Sequence, residues 1–281
     1  MVESTPPRLA DHPYALSDAQ VQAYRTDGFL VLRQVATAAE IAGFRPLIRA
    51  AWETHRLDRR PMALRDTYGR AFTQSVHLGL KDAAIGQFAY AQRFGRIAAQ
   101  LMGVPAVRMF LDEAFFKEPS AGPTPWHQDQ PVWPFAPTQG LTLWIPLMPM
   151  GPEMGMLTFA RGSQVDGQIL AADISDASEE ALRAHVAQRG QQTVDVHDLQ
   201  VGDLSAHNGW TVHRAGANQT DALREVYALH FFADGTRIGD AKHPAQARIL
   251  KAFGRGLRTG DLAASPFWPL VYSEADAATR P

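Results

Sequence analysis

The sequence predicts a mainly β protein with flanking helices, built on a double-stranded β-helix (jelly-roll, cupin-like) core. Three observations lead there. From Ala106 to Ala233 short apolar runs alternate with Gly and Pro turns, as in Gly140–Met148 and Met154–Ala160. The first hundred residues instead carry helix-start signals. Two candidate metal-binding segments, Trp126–Gln130 and the run around His213, both fall in the strand-rich part, and a jelly roll would gather them at its open end.

The elements follow in order. Ser17-x-x-Gln20 and Thr37-x-x-Glu40 are capping-box patterns, each opening an amphipathic stretch. Between them, Gly28-Phe29-Leu30-Val31-Leu32 reads as a short buried strand. One further helix is predicted over Ala83–Met102, ending at Gly103. Ser175–Gly190 interrupts the later strands as a helix or mobile insert, and a last helix covers Pro244–Phe253. No linker or repeat breaks the chain, so residues 1–281 read as one domain: a helical region over 1–105, the core over 106–234 and a tail over 235–281.

Composition narrows the function classes. A chain of 281 residues can bury a large core, and a net charge of -2 gives no surface for nucleic acid. No apolar run is long enough to span a bilayer and no signal-peptide pattern is present, so no membrane partner and a cytoplasmic location are expected. The absence of Cys excludes disulfides and thiolate metal sites. This composition agrees with a single soluble enzyme domain; the sequence sets no oligomeric state.

The chemistry starts at His127 and Asp129. In an extended segment residues i and i+2 point to one side, so the two can converge on one ion, and Pro123 and Pro125 upstream favour extended backbone. By itself a His-x-Asp is equally a hydrogen-bonded surface pair. Downstream, Gly202-Asp203 and Asn208-Gly209 read as turns, with His213 on the strand that returns from the second. Two imidazoles and one carboxylate with open positions suit Fe(II) better than a closed zinc site. Arg224 opens the next strand, where its fork could bind a carboxylate bidentately or serve a structural salt bridge.

These segments together resemble the phytanoyl-CoA dioxygenase family of Fe(II)/2-oxoglutarate oxygenases. The matching pieces are "DGFLVL" (Asp27–Leu32), "WHQDQ" (Trp126–Gln130), "GLTLWIPL" (Gly140–Leu147), "GMLTFARGSQ" (Gly155–Gln164), "HNGWTVHRAGAN" (His207–Asn218) and Arg224, spanning Leu16 to Asp234. The resemblance implies that His127, Asp129 and His213 bind iron and that Arg224 anchors the distal carboxylate of 2-oxoglutarate. It also implies that Trp144 and Thr142 line the co-substrate pocket. O2 is the remaining reactant, with succinate and CO2 released as a small organic metabolite is hydroxylated, desaturated, epimerised or cyclised. Gln164 departs from the family's frequent Gly-Ser-His turn. Asp129 retains the carboxylate that halogenating relatives replace with a small residue, which favours oxygen insertion, desaturation or ring chemistry over halogenation.

Phe115, Trp126, Trp133, Phe135 and Trp210 lie near the motifs and could line an apolar pocket, although core packing accounts for most such aromatics. Arg56–Gly79 and Val165–Gln192 are the candidate lids. Arg59, Arg60 and Arg65 read as a solvated face, with contact to an acidic substrate as the alternative. Among the other histidines only His207 is expected near the metal; His55, His77, His185, His197, His230 and His243 read as structural. Two rival classes use the same fold: a cupin-type isomerase or hydrolase without 2-oxoglutarate, which leaves Arg224 unexplained, and a non-catalytic binding module, which would not need an intact triad.

Overall fold

The computed structural model describes residues 12–136, 138–170 and 174–279. Its first part is α1 (Asp18–Asp27), β1 (Phe29–Leu32), α2 (Ala38–His55), α3 (Thr67–Ala71), β2 (Thr73–Val76), α4 (Leu78–Lys81), α5 (Ala83–Ala89) and α6 (Gln92–Met102). Then come β3 (Ala106–Phe116), β4 (Thr124–His127), β5 (Gly140–Pro146), β6 (Leu157–Ala160), α7 (Asp176–Gln188), β7 (Thr193–Asp195), β8 (Leu204–Asn208), β9 (His213–Ala215) and β10 (Val226–Ala233). The tail holds α8 (Pro244–Phe253), β11 (Leu270–Ser273) and α9 (Glu274–Thr279).

Both capping boxes form at the predicted places, Ser17 with Gln20 and Thr37 with Glu40, because each satisfies two otherwise orphaned N–H groups. Gly28 ends α1 at φ 81°, and a Cβ there would lie 2.2 Å from Gln164 Oε1. Gln164, the departure from the family turn, donates to the Arg25 and Thr26 carbonyls at 3.1 and 3.2 Å and fastens the end of α1. The single helix predicted over Ala83–Met102 is two. Ala91 is extended (φ -59°, ψ 132°), and the break lets Phe88 and Phe94 meet edge-to-face at 5.2 Å in the core.

The strands pair into two antiparallel sheets. The larger runs β1-β8-β5-β10-β3-β11, with β2 also on β3; the smaller runs β4-β9-β6-β7. One main core lies between the outer face of the larger sheet and the helices, including Phe44, Ile48, Phe88, Phe94 and Ile97. A second fills the space between the sheets around Phe29, Trp144, Leu157 and Phe159. Glu225 ties α2 to the barrel: fully buried, it accepts from Arg45 at 2.8 and 3.0 Å and from Arg49 at 3.1 Å. β8 and β9 do not form the hairpin the Asn208-Gly209 turn suggests. The turn carries the chain from one sheet to the other, as a jelly roll requires.

The predicted lid spans are more regular than their sequences imply. Within Arg56–Gly79, α3 and β2 pack on the rim, and Tyr68, Phe72 and Gln74 face the interior. Arg65 is buried and paired with Glu118, Arg60 pairs with Asp58, and Arg59 donates to the Glu53 and Thr54 carbonyls. In Val165–Gln192, of which residues 171–173 lie outside the described residues, α7 backs β4: Ser178 donates to the Trp126 carbonyl at 3.0 Å. No helix among the described residues is long and apolar enough to cross a membrane.

Candidate metal centre and active-site cavity

His127 ends β4 and stands in register opposite His213 at the start of β9. Asp129 reaches them by a different route from the one its spacing suggests. The strand stops at His127, and Asp129 is helical (φ -76°, ψ -42°) at the entry to a short 3₁₀ turn over Gln130–Val132. It is this curl, and not strand pleating, that brings the carboxylate back over the imidazoles. Asp129 Oδ1 lies 3.6 Å from Nε2 of His127 and 3.6 Å from Nε2 of His213. One ligand atom from each of the three residues falls within 4.8 Å of the others.

Outer contacts fix both rings. His127 Nδ1 donates to the Pro125 carbonyl at 2.8 Å and His213 Nδ1 to the Thr211 carbonyl at 3.0 Å, so each Nε2 presents a lone pair to the shared point. Burial, and then the charge of His213, pushes His127 down to about 3; burial pushes His213 down to about 4. Burial alone would raise Asp129, but His213, His207 and His127 around it hold the carboxyl well below its usual range. Two neutral imidazoles and an ionised carboxylate therefore meet at one point. That donor set fits Fe(II).

The larger sheet supports this centre with rows of side chains set by its register. His207, Thr142 and His230 are neighbours across β8, β5 and β10, with Leu111 next on β3. Thr142 donates to Asp129 Oδ2 at 2.7 Å, and His207 Nε2 donates to the same oxygen at 3.1 Å. The outer oxygen of Asp129 is thereby occupied, and the inner one is left facing the imidazoles. The neighbouring row is Ser205, Trp144, Ala228 and Glu113.

Arg224 precedes β10 at a two-residue bridge to Lys117. It is fully buried and has no carboxylate partner among the described residues. Its guanidinium donates to the Gly155 carbonyl at 3.0 Å, lies over the rings of Trp144 and Phe115 at 5.5 and 5.7 Å, and leaves Nε without a partner. The adjacent Glu225 does not neutralise it, because alternation along the chain sends that carboxylate outward to α2. Burial pushes Arg224 down to about 9, so the group is still charged at neutral pH. Nearby Lys117 is pushed down to about 6 by burial and then by Arg224.

Arg224, the three candidate ligands, Thr142 and Trp144 all line one cavity of about 540 Å³. The phytanoyl-CoA dioxygenase family matches residues 24–226. The chain belongs to that family. It is thus a non-haem iron, 2-oxoglutarate-dependent oxygenase by class.

No curated protein matches it by sequence. Among solved structures, it is similar to the epimerase SnoN in complex with Fe3+, alpha ketoglutarate and nogalamycin RO: 25% identity, 90% of this chain and 98% of that one, TM-score 0.75. The non-heme alpha ketoglutarate dependent carbocyclase SnoK from nogalamycin biosynthesis shares the fold at 21% identity over 92% and 99%, TM-score 0.75. So does EctD from S. alaskensis with 2-oxoglutarate and 5-hydroxyectoine, at 20% identity over 84% and 85%, TM-score 0.64.

The aromatic residues divide. Phe115 and Trp133 line the cavity of this family member; Trp126, Phe135 and Trp210 do not. Trp126 neighbours His127 on a strand and so faces the opposite way, packing on Val212 and Leu182 with Arg214 4.9 Å above its ring. Phe135 stands behind Trp133 against Phe232 and Trp268, and Trp210 bonds through its backbone, its carbonyl accepting from Gln128 and its N–H donating to Asn208. Sequence reasoning missed Phe72, Phe110 and Glu113 on the lining and set His230 aside as structural. The signal for Glu113 was there: Leu111, Glu113 and Phe115 alternate along one strand, an acid at an inward position.

Proposed function

We propose that His127, Asp129 and His213 hold Fe(II), and that Arg224 anchors the distal carboxylate of 2-oxoglutarate beside Trp144. The enzyme would then oxidise a small, largely apolar organic metabolite, as in secondary metabolism. Arg224 carries this reading. A buried guanidinium with no acid partner is costly, and an anion entering the cavity removes that cost. When bound, iron and 2-oxoglutarate supply the oxidising chemistry, consuming O2 and releasing succinate and CO2 as hydrogen is removed from substrate.

The chain's own residues do the positioning. Pro125 and Thr211 hold the imidazoles in the tautomer that offers Nε2. Thr142 was expected to touch the co-substrate, but its hydroxyl is committed to Asp129, and we read it as orienting that carboxylate. Phe115, Trp133 and Trp144 exclude water from the reacting volume. Asp129 favours hydroxylation, desaturation, epimerisation or cyclisation over halogenation, in keeping with relatives named as an epimerase and a carbocyclase. A cytoplasmic setting is proposed with this reading, since a reducing interior keeps iron ferrous.

The test is anaerobic addition of Fe(II) and 2-oxoglutarate. A weak visible charge-transfer band is expected, and an absent band together with no succinate in a substrate screen would sink the 2-oxoglutarate reading.

A further inference from the structure

Glu113 and His230 stand on the cavity side of β3 and β10, His230 reaching the candidate ligand Asp129 only through Thr142. Glu113 is paired with Ala228, whose methyl leaves space in front of the carboxylate, and His230 is two residues further along β10. Both line the cavity, with side chains 15% and 11% exposed.

The hydrogen-bond chain fixes what they offer. Thr142 has one hydroxyl hydrogen, and it goes to Asp129 Oδ2, the oxygen to which His207 Nε2 also donates. The 2.9 Å contact between Thr142 Oγ1 and His230 Nδ1 must then be a donation from His230. In the neutral ring this leaves a lone pair on His230 Nε2, an atom buried without a hydrogen-bond partner, 3.5 Å from Glu113 Oε2. Two acceptors thus face one another, Glu113 on the cavity wall and His230 Nε2 buried beside it. Among the described residues no side chain donates a hydrogen bond to Glu113. Arg248, which also lines the cavity from the exposed side of α8, makes no ion pair with it.

We propose that Glu113 and His230 are the substrate-anchoring subsite, and that they take a protonated amine carried by a compact, ring-bearing substrate. The inference rests on the 2-oxoglutarate reading above. With two charges on iron, one on Asp129, two on the co-substrate and one on Arg224, that centre is neutral in sum, and the rest of the described lining sets Asp66 and Glu113 against Arg248, one negative charge in excess. The surrounding walls carry the rings of Phe72, Phe110, Phe115 and Trp133, with Trp133 perpendicular to His230 at 6.2 Å. A carboxylate among aromatic rings favours an ammonium over a neutral hydroxyl, because a cation bonds the carboxylate more strongly and is also attracted by a ring face it meets. An acidic substrate meets repulsion at the same place.

The experiment uses protein loaded anaerobically with Fe(II) and 2-oxoglutarate, with 2-phenylethylamine, 2-phenylethanol and 3-phenylpropionate as probes in calorimetry. The amine is expected to bind at least tenfold more tightly than the alcohol, and the carboxylate most weakly. Glu113→Gln should cost the amine at least tenfold and change the alcohol by less than twofold, while the charge-transfer band of the variant stays intact and reports a folded, loaded centre. Equal binding of amine and carboxylate, tightest binding of the alcohol, or an amine affinity unmoved in Glu113→Gln would each overturn the proposal. So would nitrogen NMR showing both His230 ring nitrogens protonated and bonded to Glu113 with the amine bound. Loss of the band in the wild type would instead fault the 2-oxoglutarate reading.

Discussion

The Thr142 hydroxyl donates to Asp129 Oδ2 at 2.7 Å, from a strand of the larger sheet to the turn that follows β4 of the smaller one. This bond and the parallel one from His207 on β8 join the two halves of the barrel at the candidate iron ligand. Thr142→Val keeps the shape and removes the donor, leaving His207 alone on that oxygen. Fe(II) affinity should fall about 10- to 100-fold, measured by anaerobic metal titration; an unchanged affinity would mean that His207 alone orients the carboxylate.

Asp129→Ala should abolish both iron binding and succinate formation, since it removes the one anion among the three ligand side chains. Retained turnover would take Asp129 out of the centre.

For Arg224→Met the expected outcome has two parts. The apparent constant for 2-oxoglutarate rises at least tenfold, the order of one charge-assisted hydrogen bond lost. The protein without co-substrate loses little stability, because a buried unpaired cation has been replaced by an apolar chain of similar reach. Thermal melts separate the two: saturating 2-oxoglutarate should raise the Tm of the wild type much more than that of the variant. Equal shifts would assign the anchor to another cation, with Arg248 the candidate on the cavity lining.

His77 gives a pH dependence away from the iron site. It is 4% exposed, lies against the rings of Phe253 and Phe267, and has no partner for Nε2. Burial, then the charge of Lys81, pushes it down to about 4. Its folded value lies below its unfolded one, so the unfolded chain takes up the proton first as pH falls. Stability is therefore full above about 6.5 and declines down to about 4, by on the order of 3 kcal/mol from this residue. His77→Asn, which tolerates the left-handed backbone at φ 54°, should flatten the decline in denaturant midpoint over that range. An unaltered slope would place the titrating group elsewhere.

Much of this was legible in the chain itself. The capping boxes and the helix at Pro244–Phe253 are local signals, set by groups within a few residues of each other, and they appear where the sequence puts them, whereas Gly28, read as the first residue of the strand, caps α1 instead. The two-helix break at Ala91 was not legible, because tertiary packing of Phe88 and Phe94 decides it against a continuous helical pattern. The aromatic lining was half legible. Trp126 looked as near the metal as His127, yet strand alternation turns it to the far face.

The sequence by itself determined the candidate ligand types, their order and an arginine placed after the second histidine, since these are properties of residue identity and spacing. Only the tertiary structure decided that a turn, and not a strand, returns Asp129 to His127, and that register across β8, β5, β10 and β3 aligns His207, Thr142 and His230 behind it. The physical reason is that register and sheet-to-sheet crossover are set by long-range burial, which fixes which face of each strand is inner. That choice gives Glu113 its place on the cavity wall and sends Glu225, next to Arg224, to the outside.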